Sequence, residues 1–470
     1  MKKILTAVIV VSLVLASCLM IFTACKGNDK NHTIYFYSSQ GDNLQKITEN
    51  AIAAFEAKYP GWTVEHTQPG GYNEVRDKIK QDATAGNQPD LAYCYADHVA
   101  MYLTYGIVVD MAQFLNSTET YTYTYQDDNG EEQTMTTPVL GFSAEEQAKF
   151  VQGYVEEGYA TNYSDYAKYG FTDKSMLTLP FVKSTELMYV NKTALDACGL
   201  PIATTWDQLW QQCETIKQRY PKCTPLGYDS EANWFITMCE QNGWGYTSAD
   251  SSEHYLFNNK NTQDWLDQLA KYYDKGYITT QEDYEAYTSG LFVKGADDGG
   301  LVYCIGSSGG ASHQDPSGKF NFEIVPIPGS KQADGSVNYS CISQGPSLVM
   351  LTGAKGVNNP SEKQKMTWLF VKELLDPTFQ AAFSIESGYN PMRTDVYDVP
   401  QYQAHLAKSG ATAKAASVAR TLTDRFFASP AFDGSSEARD QVGNALLVVM
   451  KGSRSGQRAL TDAYNNCPQP

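Results

Sequence analysis

The chain has 470 residues, a formal charge of −17, an aromatic content of 12% with 32 tyrosines, and six histidines. Such an acidic surface repels nucleic acid and anionic membrane, so neither is an expected partner, and the length suits two domains of ordinary size. No Ser-His-Asp arrangement, Gly-rich phosphate loop or zinc-ligand spacing is present, and no cofactor is expected.

Residues 1–24 read as a signal segment: Lys2 and Lys3 precede an apolar run from Ile4 to Phe22, followed by the polar Lys26-Gly27-Asn28-Asp29-Lys30. Their removal takes away two lysines and no acid, moving the formal charge from −17 to −19. Nothing after Cys25 is apolar enough to span a bilayer. Of the remaining cysteines none forms a CxxC pair, and several sit in apolar runs where a free thiol acts as a small hydrophobe. A Cys213–Cys223 disulfide stays open.

Residues 33–38 form a first strand, followed by a helix whose Ile47, Ala51, Ala54 and Phe55 share one face. Tyr59-Pro60-Gly61 stops it, residues 62–66 return as a strand, a helix over 72–85 ends at Gly86, and Pro89-Asp90-Leu91 opens a third strand. Ligands of open α/β sheets collect beyond the carboxyl ends of the strands, which singles out Tyr37, Ser38, Ser39 and Gln40, then Asp97 and His98. Residues 116–142 alternate around Asp127-Asp128-Asn129-Gly130 and read as a β-hairpin, with a helix over 144–157 after it.

The stretch LTLPFVKSTELMYVNKTALDACGLPIATTWDQL over 177–209 lays down an extended crossing, a strand and a capped helix. Pro180 holds the chain extended, residues 187–190 form an apolar strand, and Thr205-Trp206-Asp207-Gln208 fits a capping box that starts a helix running to Tyr220. Farther on come a strand over 224–228, helices over 234–242 and 264–275, and a helix over 366–375. Two closing helices cover 438–451 and 456–465.

The 177–209 stretch resembles the signature of the bacterial extracellular solute-binding proteins that feed ABC sugar importers, the maltodextrin-binding-protein-like group. FEAKYPGWTVE with KIKQDATAGNQPDLAY, LFVKGADDGGLVYCIGSSGG and ESGYNPMR resemble further segments of that family, and the hairpin over 116–142 is unmatched. The pair Asp297 and Asp298 replaces the small residues usual after Gly295 and falls short of a calcium ligand set. The resemblance implies an α/β, two-lobed periplasmic-binding-protein-like fold of type II, with several hinge crossings and the ligand between the lobes. The first lobe would comprise 33–182 and 343–388, the second 183–342 and 389–470. Residues 320–328 and 343–351 resemble the return into the first lobe.

The resemblance also implies a site. Asp97 matches an acid that accepts sugar hydroxyls, Glu186 a second acid beside the hinge, and Glu231, by its spacing to Gly243, a third. Asn233 and Cys94 stand where maltodextrin-binding members carry aromatics, which argues against maltose. Trp234, Trp244 and Tyr389 are candidate stacking platforms, and Ser307, Ser308 and Gln344 lie on expected cleft loops. The implied partners are an oligosaccharide and the permease subunits of an ABC importer; the protein is expected to be a monomer. Thr23-Ala24-Cys25 resembles a lipobox, giving a palmitoylated membrane anchor at Cys25 over residues 25–32, with Leu15-Ala16-Ser17-Cys18 as the alternative. A ligand sensor for a signalling partner stays open, and a secreted glycosidase using Asp97 with Glu186 or Glu231 is the less favoured reading.

Overall fold

The computed structural model describes residues 29–39, 41–249 and 253–469. The expected signal segment, both candidate lipidation cysteines (Cys18 and Cys25) and Gln40 lie outside them. Strand β1 (Thr33–Tyr37) pairs in parallel with β2 (Thr63–Thr67) and β3 (Leu91–Cys94). Alternation sends Ile34, Phe36, Leu91 and Tyr93 into one core and Tyr37, Ala92 and Cys94 into another, so both faces of the sheet are covered. The helix Asp42–Lys58 buries Ala51, Ile52 and Phe55; Ala54, expected on that face, is exposed because the ridge runs through Ile52 instead. The helix Tyr72–Ala85 ends as expected at Gly86, whose φ of 72° is left-handed.

The 116–142 segment is a hairpin of β4 (Thr122–Gln126) and β5 (Glu132–Thr136). The Asp127 carboxylate holds its turn by accepting from the Asn129 and Glu131 amides. Tyr123 fastens the hairpin to the first lobe by donating to the Pro60 carbonyl at 3.1 Å. The single helix expected over 144–157 is instead two, Ala144–Gln147 and Gln152–Glu156. Between them, Lys149 accepts from the Thr394 amide and the Val151 amide donates to Met392, a tertiary pairing that draws the backbone out of the helix.

β6 (Leu179–Pro180) pairs with the strand Ser347–Met350, which lies antiparallel beside β3 and completes a sheet ordered β2-β1-β3-(347–350)-β6. β7 (Val182–Lys183) pairs with Asn390–Pro391 at the boundary, and β8 (Glu186–Asn191) already belongs to the second sheet. That sheet adds β9 (Thr224–Tyr228), β10 (Ile278–Thr280), β11 (Leu301–Ser307) and β12 (Phe322–Pro326) in the order β10-β9-β11-β8-β12. Residues 320–328 therefore do not return to the first lobe, because β12 hydrogen-bonds along β8 as an edge strand of the second. The crossings touch where Ser184 and Gln344 exchange backbone hydrogen bonds of 2.8 Å. Beside them Gly345 has φ 92°, and a Cβ there would meet the Val182 carbonyl at 2.5 Å.

Thr205 caps the helix Trp206–Arg219 by accepting from the Gln208 amide, but Gln208 reaches to the amide and hydroxyl of Thr204 and not to Thr205. Residues 389–406, expected with the second lobe, pack on the first-lobe side, Val396 and Tyr402 burying against Ala381. The chain has joined the second core by Ala411 and Ala415, and the helices Ser435–Met450 and Gly456–Asn466 finish that lobe. All eight described cysteines, Cys213 and Cys223 included, are free thiols.

Candidate functional site

Between the lobes lies a cavity of about 500 Å³. The first lobe brings Asp97 to it from the opening turn of the helix Ala96–Thr104, directly after central strand β3. The second brings Glu186 from the start of β8, Asn233 from the helix Glu231–Asn242, and Arg439 from the helix Ser435–Met450. One wall is aromatic: the Tyr72 and Tyr95 rings lie 4.6 Å apart, and the Tyr72 hydroxyl is 3.4 Å from that of Tyr389. The lobes also touch directly, Arg76 donating to Ser436 Oγ at 2.5 Å and the Ser164 amide to the Ala431 carbonyl at 2.8 Å.

Burial pushes the Glu186 carboxyl up to about 7, against hydrogen bonds with Tyr228 and Asn233 and the positive charge of Arg439. The Arg439 guanidinium donates to the Asn233 amide oxygen and forms no salt bridge among the described residues. Lys183 is consumed by Glu157, which also accepts from Ser343 at 2.6 Å, so that pair ties hinge segments together. The carboxylates in the lining outnumber the lysine and arginine: Asp97, Glu157, Glu186 and Asp229 against Lys183 and Arg439.

Of the residues singled out from sequence, Asp97, Glu186, Ser307, Gln344 and Tyr389 line this cavity. The others sit elsewhere. Tyr37 donates to Asp82 at 2.8 Å and is buried in the first lobe, while Ser39 lies outside the lining; β1 is one strand removed from the cavity, which the β3 end reaches instead. Ser38 hydrogen-bonds His66, and His98 is buried behind Asp97. Glu231 accepts from the Glu282 amide at 3.0 Å and faces a neighbouring loop. Trp234 is enclosed in the second core, its ring stacked 4.7 Å from Tyr228, and Trp244 packs against Trp265. Ser308 is fully buried, accepting from the Thr185 amide.

Several cavity residues carry no local signal. Arg439 arrives from a helix more than two hundred positions after Glu186, so only the tertiary fold joins them. Asn233 shows in sequence only as a departure from an expected aromatic. Gly309 is set by close approach: a Cβ there would lie 2.6 Å from the Tyr389 ring. Gly309→Ala is expected to displace Tyr389 and weaken ligand binding by about 1 to 3 kcal/mol, read by titration calorimetry.

The model for the family described as bacterial extracellular solute-binding protein matches residues 50–409. The chain belongs to that family. It is thus a binding protein and not an enzyme, of an extracellular or periplasmic class, and no helix among the described residues is long and apolar enough to cross a membrane. The sn-glycerol-3-phosphate-binding periplasmic protein UgpB of Escherichia coli (strain K12) is 23% identical over 413 residues, covering 84% of this chain and 82% of that protein. Among solved structures, the Listeria monocytogenes ABC substrate-binding protein Lmo0181, in complex with cycloalternan, is similar at TM-score 0.68 and 14% identity, covering 92% of this chain and 97% of its own. UgpB from Mycobacterium tuberculosis, in complex with glycerophosphocholine, is similar at TM-score 0.68 and 16% identity, covering 92% of this chain. The GacH receptor of Streptomyces glaucescens gives 0.67 at 14% identity, covering 92% of this chain and 96% of its own. These likenesses establish the two-lobed fold of the solute-binding protein.

Proposed function

We propose that this solute-binding protein captures a neutral glycan between its lobes and delivers it to the permease of an ABC importer. The observation that carries this reading is the pairing, across one aromatic-walled cavity, of first-lobe Asp97 with second-lobe Glu186 and Arg439. Sugar hydroxyls donate to carboxylates and accept from guanidinium, and a pyranose face stacks on tyrosine. A ligand touching both lobes biases the hinge toward the closed form that a permease recognises. Lipidation at Cys25, with a monomeric soluble part, completes the reading and keeps the protein at the outer membrane surface.

The excess of carboxylates in the lining disfavours a phosphate, whereas Arg439, which donates to Asn233 and is in no salt bridge among the described residues, favours a singly charged phosphodiester as the second reading. A thermal-shift screen of residues 26–470 against oligosaccharides, polyols, glycerol 3-phosphate and glycerophosphocholine separates them. A ligand at about 100 times its dissociation constant adds about 2.7 kcal/mol to the folded state. A rise with a sugar and none with the phosphates is expected; a rise with the phosphates alone overturns the neutral-glycan reading.

A further inference from the structure

We propose that the segment 281–288 forms an outer subsite, stacking a sugar ring that projects beyond the enclosed cavity, so that the ligand is a glycan chain longer than a disaccharide. This rests on the sugar reading of the cleft. Tyr287 lines the cavity mouth yet is 65% exposed, the most open large apolar side chain among the described residues, and Tyr284 beside it is 44% exposed. A single exposed aromatic needs no explanation. Tyr287 is set apart because it lines a binding cleft, which Tyr284 does not, and because its segment is braced at both ends. At its start the Glu231 carboxylate accepts from the Glu282 amide at 3.0 Å, and Asp283 accepts from the hydroxyls of Tyr273 and Thr279 at 2.9 and 2.8 Å. At its end one oxygen of Asp229 accepts from both the amide and the hydroxyl of Thr288, at 2.6 and 2.7 Å.

Between these clamps Glu285 holds a left-handed φ of 58°, a conformation that a non-glycine residue keeps only where its surroundings impose it. Asp229 and Glu231 flank the start of one helix, so the same turn that opens the cleft floor also positions the rim. A braced tyrosine loses little conformational freedom when a ligand stacks on it, and its apolar face suits the C–H face of a pyranose. Glu231, singled out from sequence as a sugar contact, thereby acts as a positioning residue.

Titration calorimetry with malto-, isomalto-, cello- and xylo-oligosaccharides of two to six units tests the proposal on the unaltered protein, Tyr287→Ala and Tyr287→Phe. In the series that binds, affinity for the unaltered protein is expected to rise over the first added units. Tyr287→Ala should lower affinity for the longer members by about tenfold, a loss at least threefold larger than for the disaccharide, and Tyr287→Phe should restore it. Equal losses at every length, no loss, or no length dependence in the unaltered protein overturns the outer subsite alone. No binding of any of the four series by the unaltered protein overturns the sugar reading together with it.

Discussion

Glu186→Gln is expected to weaken binding of the cleft's sugar by about 2 to 3 kcal/mol, roughly 30- to 150-fold, because it turns a charge-assisted acceptor into a neutral amide. The same change should alter how stability depends on pH. Burial holds the Glu186 carboxyl near 7 in the folded protein, against an ordinary value of 4.5. Below the lower value both states carry the proton and its contribution to stability is whole. As pH rises from there the unfolded chain releases the proton first, and the contribution fades until the folded carboxyl ionises near 7. The loss amounts to about 3 kcal/mol. Urea denaturation of the unliganded protein from pH 4 to 8 should therefore show a fall in stability that Glu186→Gln lessens by about that amount; identical slopes in the two proteins would contradict the buried, proton-holding role. Ligand affinity moves the opposite way, rising between pH 6 and 8, since the ionised carboxylate is the better acceptor for sugar hydroxyls.

Lys363→Met should destabilise the first lobe by about 3 to 5 kcal/mol. Lys363 Nζ lies 2.8 Å from Asp90 with both side chains buried, and 5.0 Å above the Tyr35 ring. Burial already raises the Asp90 carboxyl above its ordinary range, and Lys363 is the chief group holding it down. Without the ammonium, Asp90 keeps the Tyr35 amide at 2.8 Å and has no countercharge. The double variant Lys363→Met with Asp90→Asn should recover much of the loss, since removing both charges leaves no unpaired ion. Denaturant midpoints read both, and a loss under about 1 kcal/mol in the single variant would show that the pair is not held as the geometry implies.

Legibility in the sequence followed the range of the interactions. The β1–β3 unit and the Thr205 cap are set by neighbours within a few positions, and the structure has them where the patterns place them. The break at 148–151 arises from backbone bonds to residues 392 and 394, and β12 stays in the second sheet by pairing with β8; neither partner is visible locally. At the site, Asp97 follows an apolar strand whose carboxyl end faces the cleft, which the strand pattern shows, whereas Glu186, at the opening of another apolar strand, is implied by the family resemblance. Trp234 has the residue type of a sugar platform but the helical position of a core residue, and four aromatic neighbours enclose it. Arg439 and the braced Tyr287 loop depend on which helix and turn the fold sets beside β8 and β9, and composition carries no trace of that.

Hydrogen–deuterium exchange with the sugar found in the thermal-shift screen tests the interlobe site most directly. Ligand-dependent protection is expected on both lobes at once, over 95–98 in the first and over 230–246 and 306–314 in the second, the segments that line the cavity. Protection confined to one lobe, or centred on the surface hollow beside Asn116, Pro138 and Lys372, would contradict capture between the lobes.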